Sequence, residues 1–304
     1  MQSDLPFGDR LAAAVKEKKS VVCVGLDPRF NQLPAGLRES AEPSPQGRAA
    51  AMGQFCCEII DVVASQVPIV KPQAAFFEQL GPFGMLALAE TIEHAHNSGL
   101  MVILDGKRND IGSTASAYAS AYLGAGDRST WGSDALTVSP YLGADSIEPF
   151  VELCDPRRAG IFVLVKTSNP GGGLLQDRQC EEKTLYETVA DLVQQSNADR
   201  IGASGYGPIG AVVGATYPEQ LAELRQRMPS SWILIPGFGA QGGAADDVAA
   251  GFDPQGLGAV VNSSRHIIFA HSRPEFKERF GDERWLDAVD AATREMNQQL
   301  ESVR

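Results

Sequence analysis

Short apolar segments recur along this chain and are separated from one another by longer segments with helical periodicity. Short apolar runs bounded by turn residues are typical of buried strands, and their alternation with amphipathic helices indicates a parallel sheet. The predicted strands are 21–26, 68–71, 100–105, 135–139, 160–166, 211–214, 232–236 and 258–262. The predicted helices lie near 47–65, 82–98, 113–124, 144–154, 184–197, 218–228, 242–250 and 283–302.

Eight strand–helix units within about 250 residues are the number and size expected of a (β/α)8 TIM barrel. We therefore expect one α/β domain over residues 1–304, with covering helices near both termini. A doubly wound open sheet is the structural alternative. Segments 30–46 and 169–183 predict long loops after strands one and five, where a barrel of this kind builds its active site.

The third predicted strand ends in charged residues, in the sequence Leu104-Asp105-Gly106-Lys107-Arg108-Asn109-Asp110. Charge at the end of a buried strand is costly unless it is paired. Asp105 and Lys107 are two residues apart and share a face in extended chain, and Asp110 follows at the next helix. Two carboxylates can therefore reach the Lys107 ammonium, an arrangement that suits proton transfer to carbon. A simple salt bridge at the strand end is the alternative.

Polar residues also follow the other predicted strands, and in a barrel these strand ends meet at one rim. They are Asp27 after strand one, Lys71 at the end of strand two, Ser168 after strand five, Gln241 after strand seven, and Ser264 and Arg265 after strand eight.

A glycine-rich segment follows strand seven, with Gly237, Gly239 and Gly242 in the spacing G-x-G-x-x-G. A dinucleotide fingerprint would belong to the first strand–helix turn of its fold, so this match is weak. We expect instead the phosphate site that barrels build after strands seven and eight, with backbone N–H groups and the Arg265 guanidinium as donors. A tight turn beside a surface arginine is the alternative.

Composition narrows the classes of function. The net charge of −12 opposes general nucleic-acid binding, which needs a basic surface. The five cysteines form no C-x-x-C pair, and the four histidines show no metal-binding spacing, so we expect no metal site. We find neither a signal-peptide pattern nor an apolar run long enough to span a bilayer, which predicts a cytoplasmic protein without membrane contact.

The chain resembles the orotidine 5′-phosphate decarboxylase family, and the similarity extends from Gly25-Leu26-Asp27 to Arg265. The segment from Asp105 to Thr114 fits the family signature D-x-K-x-x-D-I-x-x-T. Lys71-Pro72-Gln73, Thr167-Ser168-Asn169-Pro170-Gly171 and the glycine-rich segment resemble the longer bacterial branch, type 2.

The resemblance implies decarboxylation of orotidine 5′-phosphate to UMP, the last step of UMP biosynthesis, with no cofactor. It implies that Asp27 and Lys71 bind ribose hydroxyls, that Asp105 lies beside the substrate carboxylate, and that Lys107 protonates C6. Asp110 and Thr114 would reach the neighbouring subunit's site in a homodimer. Ser168 would bind the pyrimidine, Gln241 would bridge base and phosphate, and Arg265, beside Ser264, would bind the phosphate.

Three other functions stay open from the residues alone. A Mg²⁺-dependent sugar-phosphate decarboxylase or aldolase shares D-x-K-x-x-D, although Lys71 would repel a cation at strand two. A Schiff-base aldolase would need Lys107 or Lys166 neutral. A non-catalytic barrel that binds a phosphorylated ligand is the third possibility.

Overall fold

The computed structural model describes residues 4–238 and 245–304 of the chain. Eight parallel strands form a closed barrel, in which each strand pairs with its neighbour in sequence and strand eight pairs with strand one. The barrel strands one to eight are Val22–Leu26, Ile69–Pro72, Met101–Arg108, Ala135–Val138, Gly160–Lys166, Ile209–Val213, Ile233–Pro236 and Ala259–Ser263. The predicted TIM barrel is confirmed, and closure between strands one and eight excludes the open sheet.

Helices surround the barrel and cover its ends. They are Phe7–Lys18, Ala35–Ser40, Pro45–Val63, Ala74–Glu78, Gly81–Asn97, Gly112–Tyr122, Glu148–Arg157, Gly173–Gln176, Leu185–Ser196, Pro218–Arg227, Ala245–Val248, Arg265–Ile268, Pro274–Phe280 and Trp285–Glu301. Among the described residues, none of these helices combines the length and apolarity that crossing a bilayer requires.

Local sequence explains where two of the larger helices begin. Ser44 precedes the helix Pro45–Val63, and its hydroxyl accepts a hydrogen bond from the Gly47 N–H at 3.0 Å. Thr184 and Glu187 form a reciprocal capping box at the start of Leu185–Ser196. Each cap satisfies an N–H group that the first helical turn leaves without an intrahelical partner.

Aromatic contacts hold the two terminal helices in place. Phe7 of the first helix packs edge-on against Phe162 of strand five, with ring centroids 6.0 Å apart. Trp285 of the last helix stacks on Phe55 of the helix Pro45–Val63 at 5.1 Å. Phe162 and Phe55 are both fully buried. These two helices are the covering helices that the sequence predicts.

Two predicted loops contain regular structure. Segment 30–46 includes the 3₁₀ turn Phe30–Gln32 and the helix Ala35–Ser40. Segment 169–183 includes the 3₁₀ turn Pro170–Gly172, the helix Gly173–Gln176 and a small antiparallel hairpin. These elements are only two to six residues long, so no periodic sequence signal marks them.

Candidate active site

One carboxylate lies between two ammonium groups at the carboxyl end of the barrel. The Asp105 Oδ2 atom is 2.8 Å from the Lys71 Nζ atom, and Asp105 Oδ1 is 2.6 Å from Lys107 Nζ. Gln73 donates to Oδ2 at 2.9 Å, and the Thr137 hydroxyl donates to Oδ1 at 2.9 Å. Each oxygen thus accepts two hydrogen bonds, which fills the acceptor sites of an ionised carboxylate.

Strand pairing explains why these side chains meet. Lys71 ends strand two, and Gln73 forms a parallel bridge with Asp105 of strand three. Lys71 and Gln73 are two residues apart, so in extended chain they share a face. Thr137 approaches from strand four on the other side of strand three.

Asp110 does not join this cluster within one chain. Among the described residues, the ion pairs of Lys107 and Lys71 involve Asp105, and Asp110 instead accepts a hydrogen bond from the neighbouring Ile111 N–H at 2.8 Å. The expectation that two carboxylates reach Lys107 is therefore wrong for a single chain. Asp110 lies two residues beyond Arg108, where strand three ends.

Interactions between opposite charges favour the ionised forms of Asp105 and Lys71. Burial alone would raise the pKa of Asp105, but the Lys71 and Lys107 ammonium groups outweigh it and hold that pKa well below its usual range. Burial would lower the pKa of Lys71, but the carboxylates of Asp105 and Asp27 raise it. Opposite charges at short range thus keep both groups charged.

A cavity of about 210 Å³ opens directly onto this cluster. Its lining residues are Lys71, Asp105, Lys107, Thr137, Leu164, Thr167, Ser168, Asn169, Val212, Leu234 and Pro236. A second cavity of about 600 Å³ shares Lys107, Leu164, Thr167 and Asn169 with the first. Ser168, one of the predicted site residues, therefore lies at the wall of the 210 Å³ cavity.

Asp27 and Ser264 lie at the ends of strands one and eight on the same rim. The Asp27 Oδ1 atom is buried and has no hydrogen-bond partner among the described residues, so it is an acceptor suited to a hydroxyl of a ligand. Ser264 packs against Gly25, where an added Cβ would lie 1.9 Å from the Ser264 hydroxyl oxygen. A side chain at that position of strand one would require the Ser264 side chain to move.

Arg265 begins the short helix after strand eight, and its side chain is exposed on the rim. It does not line the 210 Å³ cavity as the described residues define it. Gln241 lies outside the described residues, as do Gly239 and Gly242 of the glycine-rich segment. Thr114 is exposed on the helix Gly112–Tyr122.

Sequence analysis missed two polar contacts of this site. Gln73 and Thr137 both hydrogen-bond Asp105, and neither stood among the candidate site residues. The alternation of side chains could have identified Gln73, which shares a face with Lys71. Thr137 carries no such signal, because its partners lie 30 and 32 residues away along the chain.

The donor set does not suit a metal ion. Both Asp105 oxygens already contact ammonium groups, and Lys71 places positive charge beside strand two. Within residues 4–238 and 245–304, no three His, Cys, Asp or Glu side chains group as metal ligands would.

Comparison with known proteins identifies the family. Residues 20–277 match the model of the orotidine 5′-phosphate decarboxylase / HUMPS family. An orotidine 5′-phosphate decarboxylase of Rhodopirellula baltica is 66% identical over 299 residues, which cover 97% of this chain and 99% of that protein. The Leishmania donovani OMP decarboxylase structure has a TM-score of 0.76 and 33% identity, covering 98% of each chain.

A further structure, Leishmania donovani UMP synthase, has a TM-score of 0.77 and 34% identity over 98% of this chain and 56% of that longer chain. The barrel described here thus corresponds to part of that protein. On the family match and the 66% identity together, this chain belongs to the orotidine 5′-phosphate decarboxylase / HUMPS family.

Proposed function

We propose that this chain converts orotidine 5′-phosphate to UMP and CO₂ without a cofactor, through a C6 carbanion that Lys107 protonates. Family membership makes the chain a carboxy-lyase of pyrimidine biosynthesis. The observation that supports the mechanism is the Asp105 carboxylate held between the Lys71 and Lys107 ammonium groups at the wall of the cavity.

The charges of this cluster suit the reaction. Loss of CO₂ leaves an electron pair at C6, and a fixed ammonium stabilises charge most where it develops in a site that excludes water. Both lysines line the cavity, but the Lys107 side chain is half exposed whereas that of Lys71 is buried, so the Lys107 amine is the more accessible of the two. Transfer of its proton to C6 forms the C–H bond of UMP and leaves a neutral amine, which solvent reprotonates.

Asp105 adds a repulsive contribution in the ground state. Two unit negative charges about 4 Å apart repel by about 4 kcal/mol at an effective dielectric near 20. A substrate carboxylate placed beside Asp105 would lose this repulsion as CO₂ departs. Asp27, whose buried Oδ1 atom has no partner in the part of the chain that the structure describes, and Lys71 would bind the ribose hydroxyls.

The remaining site residues would bind the base and the phosphate. Ser168 lines the cavity and would hydrogen-bond the pyrimidine. Arg265, beside Ser264 on the rim, would bind the phosphate, and Gln241 would bridge base and phosphate. Because the phosphate lies far from the reacting carbon, this binding energy can help to organise the closed site.

We further propose that the active enzyme is a homodimer with shared sites. Asp110 and Thr114 are not among the described residues that line the 210 Å³ cavity, and Thr114 is exposed. The large apolar side chains of Ile111 and Tyr141 are 56% and 75% exposed. A second subunit placed over them would bring Asp110 toward the partner's Lys107. A cytoplasmic location accords with the five free cysteines, since disulfides are rare in that compartment.

The two rival enzyme classes fit the geometry less well. A Schiff-base nucleophile must be neutral, but Lys166 is buried and paired with Asp177, while Lys107 contacts Asp105. A Mg²⁺ ion would meet two ammonium groups at the cluster.

One assay distinguishes the proposed activity from the metal-dependent class and from the non-catalytic barrel. The absorbance of orotidine 5′-phosphate is followed with purified protein and no added cofactor, with and without EDTA. We expect equal turnover in both samples. Loss of turnover with EDTA, restored by Mg²⁺, would favour the metal-dependent class, and binding of UMP without any turnover would favour the non-catalytic barrel.

A further inference from the structure

Strands three and four lose their register at the active site. Ile103 and Leu104 pair with Ala135 and Leu136, but the next pair is Arg108 with Val138. The three residues Asp105, Gly106 and Lys107 therefore lie opposite the single residue Thr137. A bulge of this kind re-aims side chains and interrupts the backbone ladder.

The Thr137 hydroxyl bridges this bulge. It accepts a hydrogen bond from the Lys107 backbone N–H at 2.9 Å and donates one to Asp105 Oδ1 at 2.9 Å. Thr137 is 1% exposed, so water does not replace these contacts readily. One hydroxyl group thus connects the backbone of Lys107 to the side chain of Asp105.

The Lys107 backbone needs such support. Its φ of 45° lies in the left-handed region, which residues with a side chain seldom occupy. Strained backbone of this type persists only where the surrounding structure holds it. Four groups donate hydrogen bonds to Asp105. One of them, the Thr137 hydroxyl, also accepts a hydrogen bond from the Lys107 backbone, so it contacts both residues of the Asp105–Lys107 pair.

We propose that Thr137 is a positioning residue, whose hydroxyl sets where the Lys107 ammonium lies relative to the reacting carbon. The inference rests on the function proposed above and extends it to a residue of strand four. The inference concerns the hydroxyl group and not the volume of the side chain. A valine of nearly equal volume would fill the same space between the strands but would lack the hydroxyl.

The test compares three variants with the wild type. Thr137→Val removes the hydroxyl, Thr137→Ser keeps it, and Thr293→Val removes another buried threonine hydroxyl, which bonds the Val289 carbonyl in the last helix. We expect Thr137→Val to lower kcat by about 10- to 100-fold, the effect of misplacing a reacting group by a fraction of an ångström to an ångström. KM and the Kd for UMP should change by less than about threefold, because ground-state binding is not removed.

Rescue distinguishes positioning from general packing. We expect Thr137→Ser to retain kcat within about threefold and Thr293→Val to leave kcat unchanged. Wild-type kcat in Thr137→Val, or a loss in Thr137→Ser as large as in Thr137→Val, would overturn the inference while leaving the proposed function intact. If Thr137→Val does not fold, Thr137→Cys, a weak donor of similar size, must show a reduced kcat with unchanged UMP binding. A wild type without decarboxylase activity would instead overturn the proposed function, and this inference with it.

Discussion

The ammonium groups of two lysines meet at Asp105, although the protein as a whole is acidic. The chain carries a net charge of −12, yet two ammonium groups share this single carboxylate. The three side chains together carry one positive charge, and the Asp27 carboxylate also acts on Lys71. The depressed pKa of Asp105 keeps this arrangement ionised in ordinary buffers.

The stability of the fold should depend on pH through His271, a histidine away from the site. Burial lowers the pKa of His271, and this outweighs the raising effects of Asp282 and of the Gln32 backbone. The pKa of His271 in the folded protein therefore lies below its unfolded value of about 6.5. Neutral His271 contributes fully to the stability of the fold above pH 6.5, and this contribution is lost as the pH falls through the folded-state pKa. The pKa of His266 is lowered as well, so His266 adds to the same dependence of stability on pH.

We expect the free energy of unfolding to rise from pH 5.5 to pH 7.5, and to rise less in His271→Gln. Urea denaturation at the two pH values measures this difference. Equal increases in the wild type and the variant would show that His271 titrates alike in both states.

At the scale of single elements, the segment after strand five is attached to the barrel through a buried lysine. Lys166 is 3% exposed; its ammonium pairs with Asp177 and lies 5.4 Å and 5.3 Å from the rings of Tyr186 and Tyr217. Gln176 accepts from the Thr167 N–H at 3.0 Å and donates to the Thr167 hydroxyl at 2.8 Å. These contacts fold residues 173–177 back over the strand end.

Loss of this attachment should weaken substrate binding. Thr167, Ser168 and Asn169 line the cavity, so their placement depends on the segment that Lys166 holds. We expect Lys166→Met to raise KM by about 3- to 10-fold, which corresponds to one net hydrogen bond of about 1 kcal/mol, with a smaller change in kcat. Steady-state kinetics measures both constants.

Lys183→Met is the matched control. Lys183 belongs to the same segment but pairs with Asp191 at the surface, where its side chain is 51% exposed. Its KM should match the wild type. Equal KM values for Lys166→Met and Lys183→Met would contradict a positioning role for the buried lysine.

At the scale of the whole molecule, the closed barrel brings residues in or directly after strands two to seven to the wall of one cavity. Asp110 and Thr114 are not among the described residues that line this cavity. Shared sites in a dimer predict complementation between two inactive variants. A heterodimer of Lys107→Ala and Asp110→Ala subunits contains one site with both wild-type residues.

Random exchange of equal amounts should restore about a quarter of the wild-type sites, since half of the dimers are mixed and each has one intact site of two. Turnover of orotidine 5′-phosphate after mixing and subunit exchange measures this recovery. Each variant mixed with itself is the control. Absence of recovery, with exchange verified by differently tagged subunits, would contradict the shared site.

The sequence predicts the barrel well because each strand is a short apolar run, and such runs mark buried strands directly. It also predicts that Asp105 and Lys107 share one face. It does not predict the bulge that carries strand three to Arg108, because that depends on pairing with strand four. Nor does it predict the Thr137 contacts or the helix Ala35–Ser40. The Thr137 contacts join residues that are distant in the chain, and the helix is too short to produce a periodic sequence signal.

The most direct test of the account is the turnover of orotidine 5′-phosphate by Lys107→Ala, measured beside its affinity for UMP. Loss of a positioned proton donor should lower kcat by about 10²- to 10⁴-fold, while calorimetry still detects UMP binding because ribose and phosphate contacts remain. Turnover close to the wild-type rate in a folded, UMP-binding Lys107→Ala protein would contradict the proposal that this ammonium protonates C6.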